Sequence, residues 1–268
     1  MIAFAGNSLL CRYALNQTTI DPASFTVIRL LAGAAMLWLI VGFRGGPPSS
    51  GGNWASALAL FVYAAGFSFA YTSLPAATGA LLLFGSVQVT MVAHGLWRGE
   101  RLRRWQSAGC ILAFAGLVGL LLPGLAAPPL EGAVLMLAAG VAWGVYSLRG
   151  KGGADATSAT AGNFLRTIPI AVVLLPWMVQ HMPLDMAGVW CAIASGVLAS
   201  GIGYAIWYAA LPWLRAATAA TVQLSVPVLT AIGGVALLAE PLSLRLVLSS
   251  IAVLGGICLV ILQRRQRV

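Results

Sequence analysis

Ten apolar runs follow one another along this chain, at roughly 1–15, 24–43, 54–73, 76–97, 104–122, 130–148, 158–179, 187–210, 216–238 and 243–262. Most approach the length of about 20 residues that a helix needs to cross a hydrocarbon core. Only 8% of the 268 residues are charged and 60% are hydrophobic, whereas an average soluble domain carries about 25% charged residues. So few charges cannot surface a water-soluble body of this size. In lipid the backbone has no water to bond, so each run must satisfy its own polar groups as a helix. A membrane barrel would alternate apolar and polar residues, and these runs are continuous. The expected fold is an all-α integral membrane protein of ten transmembrane helices. The first run is short and carries Arg12 near its end. No basic residue precedes it and no clear cleavage site follows, so it does not read as a signal peptide.

The formal net charge is +9, and its distribution is informative. With the N-terminus inside, the inside connections hold Arg44, then Arg98, Arg101, Arg103 and Arg104, then Arg149 and Lys151, then Arg215, then the tail Arg264, Arg265 and Arg267. The outside connections hold only Arg245. This is the positive-inside pattern and predicts a multi-pass protein of the bacterial inner (cell) membrane with both termini cytoplasmic. A nucleic-acid partner would want these charges on one folded face, so none is expected. Cys11, Cys110, Cys191 and Cys258 fall in apolar runs, and no Cys/His spacing suggests a metal or other cofactor.

The chain also repeats itself. "YTSLP" at Tyr71–Pro75 returns as "YAALP" at Tyr208–Pro212, 137 residues later. Three inserted residues then lengthen the offset to 140, and Ala76-Ala77-Thr78 matches Ala216-Ala217-Thr218, Glu100 matches Glu240, Leu102 matches Leu242, and Gly116 matches Gly256. Upstream, Arg29 matches Arg166. The domains expected are an N-terminal five-helix repeat at 1–123, a C-terminal one at 130–262 and a basic tail at 263–268. An odd helix count sends the second copy through the bilayer from the opposite side. Matched turns bear this out in their charges: "LPAAT" carries no basic residue, and its copy carries Arg215. Two inverted halves that exchange packings open a shared midplane site to one side and then the other, which is the logic of a transporter.

"AFAGNSLLCRYAL", "DPASFTVIRLLAGA", "LPAATGALL" with the later Gly99-Glu100, and "VPVLTAIGGVALLAEPLS" resemble EamA-type members of the drug/metabolite transporter superfamily. The resemblance implies a ten-helix carrier in which helices 1–4 and 6–9 line a central cavity and helices 5 and 10 are peripheral. It also implies export of amino acids or other small metabolites. The chain departs from the family in a shorter N-terminus and in Val87 standing at the mirror position of Pro227.

Polar residues inside spans are costly, so they mark where function is to be sought. Asp21, Glu100, Glu131, Asp155, Asp185 and Glu240 all lie in connections or at helix ends, and no carboxylate lies mid-span. An exporter of organic cations commonly needs such a countercharge, so that reading is the alternative rather than the lead. Glu100 and Glu240, at span ends, read as structural. Arg29 and Arg166 lie within spans, where an arginine costs about 2.5–3.5 kcal/mol on insertion scales. They either snorkel or hold a substrate carboxylate by a two-pronged bond. Asn163 shares a helix face with Arg166. Asn7, Gln88, Tyr146, Tyr204 and Gln223 add polar groups within spans, and Trp143 and Trp207 sit deep enough to wall a cavity. With Arg29, Asn163 and Arg166 these form the candidate substrate-binding set. Trp54, Trp97, Trp105, Trp177, Trp190 and Trp213 read as interfacial belt, and His94 as structural. Pro169, Pro176 and Pro227 predict bends.

The function expected is a secondary active exporter of small metabolites, amino acids first, with the bilayer and a small molecule as partners and homodimerisation open. An intramembrane enzyme using Ser195 and His94 is a remote alternative, because "AIASGV" lacks the glycine expected two residues before the nucleophile. No phosphate-binding glycine loop appears, which argues against ATP-driven transport by this chain alone.

Overall fold

A computed structural model describes residues 1–45, 51–99, 101–102, 104–123, 127–150, 155–180, 185–210, 213 and 222–264; at 179, 180, 208 and 262–264 it describes the backbone alone. Glu100, Arg103, Lys151, Arg215, most of the second turn phrase and the end of the basic tail lie outside the described residues. The regular structure of the described residues is helical: α1 Ile2–Gln17, α2 Pro22–Phe43, α3 Trp54–Tyr71, α4 Ala76–Trp97, α5 Arg104–Leu121, α6 Leu130–Arg149, α7 Ala156–Ala171, α8 Leu175–Gln180, α9 Met186–Ala194, α10 Gly203–Ala210, α11 Ser225–Leu238 and α12 Leu244–Arg264. A 3₁₀ turn, Val172–Leu174, joins α7 to α8, and a π-helical stretch, Ser195–Ile202, joins α9 to α10. Among the described residues eight helices are long and apolar enough to cross a membrane, and α11 is a shorter apolar helix beside them.

Local chemistry sets several of these boundaries. Asp21 accepts from the backbone N–H of Ala23 and Ser24, with Pro22 at the first helical position, where its missing N–H costs nothing. Asn53 caps α3 through Ser56 N–H, Asp155 caps α7 through Thr157 and Ser158, and Asp185 caps α9 through Ala187. The 3₁₀ turn has a proline origin. Pro176 cannot donate to Val172 O and its ring crowds that carbonyl, so the ladder tightens over Val172–Leu174. Pro227 instead sits in the first turn of α11, where its missing donor disturbs little.

Packing depends on small residues. α3 and α4 lie against α6, α2 lies against α7 and the π stretch, α1 lies against α11, and α5 pairs chiefly with α12. At the α5–α12 crossing a methyl on Gly109 would stand 2.5 Å from Gly256 O, so only glycine permits that approach. At the α2–π crossing a methyl on Gly33 would meet the Phe164 ring at 2.7 Å, and one on Gly196 would collide with Arg29 O. α4 is the most enclosed of the long helices, while α5 and α12 are the most exposed. Trp54, Trp97, Trp105 and Trp190 stand exposed near helix ends, as belt residues do.

Candidate functional site

A narrow slot lies where α1, α3, α4, α6, α10 and the π stretch converge. Asn7, Tyr63, Phe67, Trp143, Tyr204 and Gln223 line it, with Phe4, Phe84 and Ser200 filling its corners. Its volume of about 20 Å³ holds about one water molecule. That volume is too small for a metabolite.

Asn7 ties the slot together. Its Nδ2 donates to Tyr63 Oη at 3.3 Å, and its Oδ1 accepts from Ser195 Oγ at 2.5 Å. One amide thus bridges α1, α3 and the start of the π stretch. Trp143 is the aromatic hub. Its ring stacks on Tyr146 at 5.4 Å and meets Tyr63 at 4.8 Å and Tyr204 at 5.2 Å. Phe4 closes the cluster edge-on to Tyr204 and Trp207. Such pairs gain about 0.5–1.5 kcal/mol each beyond area burial.

Arg29 sits behind this wall, only 2% exposed. Its Nη2 donates to Ala64 O at 2.9 Å, and its guanidinium carbon lies 5.1 Å from the Phe67 ring centre and 5.7 Å from that of Tyr63. Its Nη1 is buried without a hydrogen-bond partner, as is Nε2 of Gln88, which lies one turn along α4 from Phe84.

The remaining candidates stand elsewhere. Asn163 Oδ1 accepts from Asn53 N–H at 2.8 Å, and Arg166 Nη1 donates to Gly51 O and Gly162 O at 2.8 Å each. These two residues bind the connection between α2 and α3. Arg149 reinforces the same end through Ser56 Oγ and Asn53 Oδ1, both at 3.1 Å, and Arg44 through Thr157 Oγ1 at 3.2 Å. Tyr146 Oη approaches Thr160 Oγ1 at 3.4 Å and so links the slot to α7. Asp155 at this basic end is held below the usual carboxylate range, first by Ser158 Oγ–H, then by the capping N–H groups of Ser158 and Thr157, with Arg44 adding charge.

The opposite end has its own clasp. Arg12 Nε donates to Glu240 Oε1 at 3.0 Å, while Arg12 Nη1 reaches Tyr71 O at 3.0 Å and Thr72 O at 3.3 Å. Glu240 Oε2 accepts from Ala76 N–H at 2.7 Å, capping α4 from across the molecule. Ala239, at φ 52°, turns the chain so that Glu240 can reach inward.

Sequence reasoning singled out Asn7, Trp143, Tyr204 and Gln223, all of which line the slot, and Trp207 and Tyr146, which brace it. It passed over Tyr63 and Phe67, although with Tyr71 they form a stripe at spacing four on α3, which is a readable signal. Ser195, considered above as a nucleophile, directs its hydroxyl to Asn7. His94 contacts Trp97 near the far end of α4. Among the described residues no group of His, Cys, Asp and Glu is placed to hold a metal.

The EamA-like transporter family profile matches residues 1–122 and again residues 130–262. The chain belongs to this family. An uncharacterised protein of Pseudomonas aeruginosa is 56% identical over all of this chain and 93% of its own length. An uncharacterised transporter of Archaeoglobus fulgidus is 28% identical over 99% of this chain and 96% of its own. A crystal structure superposes with a TM-score of 0.68 at 21% identity, covering 99% of this chain and 98% of that one, which is a likeness of fold. The EamA-like protein described here is therefore a multi-pass membrane transporter in a lipid bilayer, acting on a small molecule.

Proposed function

We propose that this EamA-like protein is a secondary active exporter of small metabolites, amino acids first, working by alternating access through the aromatic slot. The observation that carries the reading is the placement of two separate clasps about one narrow slot. Arg12–Glu240 joins α1 to the α3–α4 turn and the end of α11 at one end, and Asn163, Arg166 and Arg149 hold the α2–α3 connection at the other. A carrier needs two such closures that release in turn, whereas a channel needs only one gate. The double family match supports two five-helix repeats at 1–123 and 130–262, threaded in opposite senses as ten spans. The arginines gathered at the Asn163 end support a cytoplasmic placement of that end and of both termini, in a bacterial inner membrane. On this reading the chain needs no enzyme activity and no nucleic-acid partner.

The test is flux. Proteoliposomes holding the purified chain are loaded with amino acids and related metabolites, and efflux is followed with and without an ion gradient. Counterflow of at least one of them is expected. Passive, non-saturable leakage, insensitive to substrate on the far side, would replace the carrier by a channel.

A further inference from the structure

We infer that a groove between α2 and α10, open to the bilayer, binds an anionic phospholipid, with an acyl chain in the groove and the phosphate on Arg44. The groove is separate from the slot, so the site stands or falls independently of the transport reading. Its shape comes from how two segments part. A methyl on Gly196 would collide with Arg29 O, and one on Gly201 would stand 2.7 Å from Met36 Cγ, so α2 and the π stretch run side by side in the same direction. Past Gly201 they diverge: α2 packs closely on the π stretch, but α10 packs on α7 and the π stretch. Among the described residues the gap that opens, of about 610 Å³, is lined by Met36, Ile40 and Arg44 on one side and by Ile202, Ile206 and Ala210 on the other. Each trio is spaced by four, one row along one helix face. The gap is a wedge. Its deep point is the Met36–Gly201 contact, and its mouth is at Arg44, two turns or about 12 Å further along α2.

The chemistry of the wedge selects its occupant. The walls are apolar except at the mouth, where Arg44 follows the last residue of α2 and stands exposed. α2 is long and apolar enough to span the bilayer, so its wall meets acyl chains and its end meets headgroups. Arg44 Nη1 donates to Thr157 Oγ1 at 3.2 Å, which holds the guanidinium at the mouth and uses one of its five N–H groups. No described carboxylate is paired with it: among the described residues the ion pair is Arg12–Glu240, at the opposite end. Asp155 is near enough to feel the charge of Arg44, but it accepts from Thr157 N–H, Ser158 N–H and Ser158 Oγ–H. Arg149 and Arg166 add positive charge at the same end. A phosphodiester brings a negative charge and oxygens that suit a guanidinium fork. A zwitterionic lipid would bring an ammonium among these arginines as well, whereas a net-negative one does not. α10 carries Tyr204 to the slot on its other face, so the bound lipid braces the slot wall from the membrane side.

The test counts bound lipid, not flux. The purified full-length chain, stripped of lipid in detergent, is titrated with dioleoyl-phosphatidylglycerol (net negative), with dioleoyl-phosphatidylcholine (same chains, zwitterionic) and with glycerol 3-phosphate (no chains). Native mass spectrometry counts the adducts retained. Phosphatidylglycerol should bind about fivefold or more tighter than phosphatidylcholine, and glycerol 3-phosphate should not displace it. Arg44→Gln should bring the ratio of the two lipids close to one. Arg98→Gln removes an exposed arginine at the end of α4, away from the wedge, and should leave the ratio unchanged. Ala209→Phe puts a ring into the wedge and should weaken phosphatidylglycerol binding about fivefold or more. Should Arg44→Gln fail to fold, the wild-type ranking with Ala209→Phe and Arg98→Gln decides. Equal retention of the two lipids overturns the inference, as does an unchanged ratio in a folded Arg44→Gln or full binding in Ala209→Phe. An equal fall of the ratio in Arg98→Gln would assign the preference to the basic surface at large and overturn it too. Displacement of the lipid by glycerol 3-phosphate at equal concentration would make Arg44 a site for a free phosphate ester, with the same consequence.

Discussion

Arg12 Nε and Glu240 Oε1 lie 3.0 Å apart although 228 residues separate them in the chain. Both side chains are largely buried, and each also bonds backbone on a third segment: Arg12 to Tyr71 O and Glu240 to Ala76 N–H. The pair therefore fastens α1, the turn between α3 and α4, and the end of α11 at one point. Removing one member leaves the other charge partly buried and short of a partner, which costs about 1–3 kcal/mol.

Arg12→Ala should lower the unfolding temperature in detergent and expose the turn after α3. A cysteine placed at Thr72 reports this through faster thiol labelling than in the wild-type background. Glu240→Gln keeps an acceptor for Ala76 N–H and should fall between the two. Labelling rates that do not change in Arg12→Ala would mean that the pair closes nothing.

The opposite end makes a contrasting prediction. The Asn163 side chain accepts from Asn53 N–H and the Arg166 side chain donates to Gly51 O, each at 2.8 Å. Asn163→Ala and Arg166→Ala should speed thiol labelling of a cysteine at Ser56 and change transport rate. Ligand affinity in the slot should move less than about 2.5-fold, the scale of a remote substitution (about 0.5 kcal/mol). A loss of affinity of tenfold or more in Arg166→Ala would bring that side chain back into substrate contact.

Both clasps show what a linear reading can and cannot reach. The helices were legible because apolar runs and Asp or Asn caps act locally, and Asp21 with Pro22 marks the start of α2 unaided. Trp143, Tyr204 and Asn7 were legible because buried polar or amphipathic groups in a span must find partners. Asn163 and Arg166 look the same by that criterion. Their partners lie in a connection that folds back under α7, over 100 residues away, and no periodicity encodes that return. The π stretch was likewise hidden. "SGVLASGI" is a run of small and aliphatic residues, and its widened turn shows only in the backbone path.

Asn7 offers a prediction at the centre. Its amide satisfies a hydroxyl from α3 and one from the π stretch. Asn7→Ala strands Ser195 Oγ in a buried setting and should cost about 1–3 kcal/mol. Ser195→Ala leaves Asn7 Oδ1 without its donor while Asn7 Nδ2 keeps Tyr63, and should cost about 1 kcal/mol. The double variant should cost less than the sum, because the stranded hydroxyl is then gone. Thermal unfolding of the four proteins in one detergent measures the coupling, and strict additivity would show that the 2.5 Å contact contributes nothing.

The last prediction concerns pH and the start of α7. Asp155 accepts from Thr157 N–H, Ser158 N–H and Ser158 Oγ–H, and these bonds favour its charged form. Its pKa in the folded protein is therefore lowered from the ordinary carboxylate value. In such a case the unfolded chain takes up the proton first as pH falls. The extra stability is complete above the unfolded value, near about 3.9, and is lost as pH drops through the lower folded value. Asp155→Ala should cost about 0.5–2 kcal/mol at neutral pH, the usual loss of a helix cap. The difference from wild type should stay level down to about pH 4 and then shrink. Thermal unfolding of the two proteins across that range measures it. A difference that grew on acidification would mean the carboxyl stabilises α7 as the neutral acid, contrary to the three donors that face it.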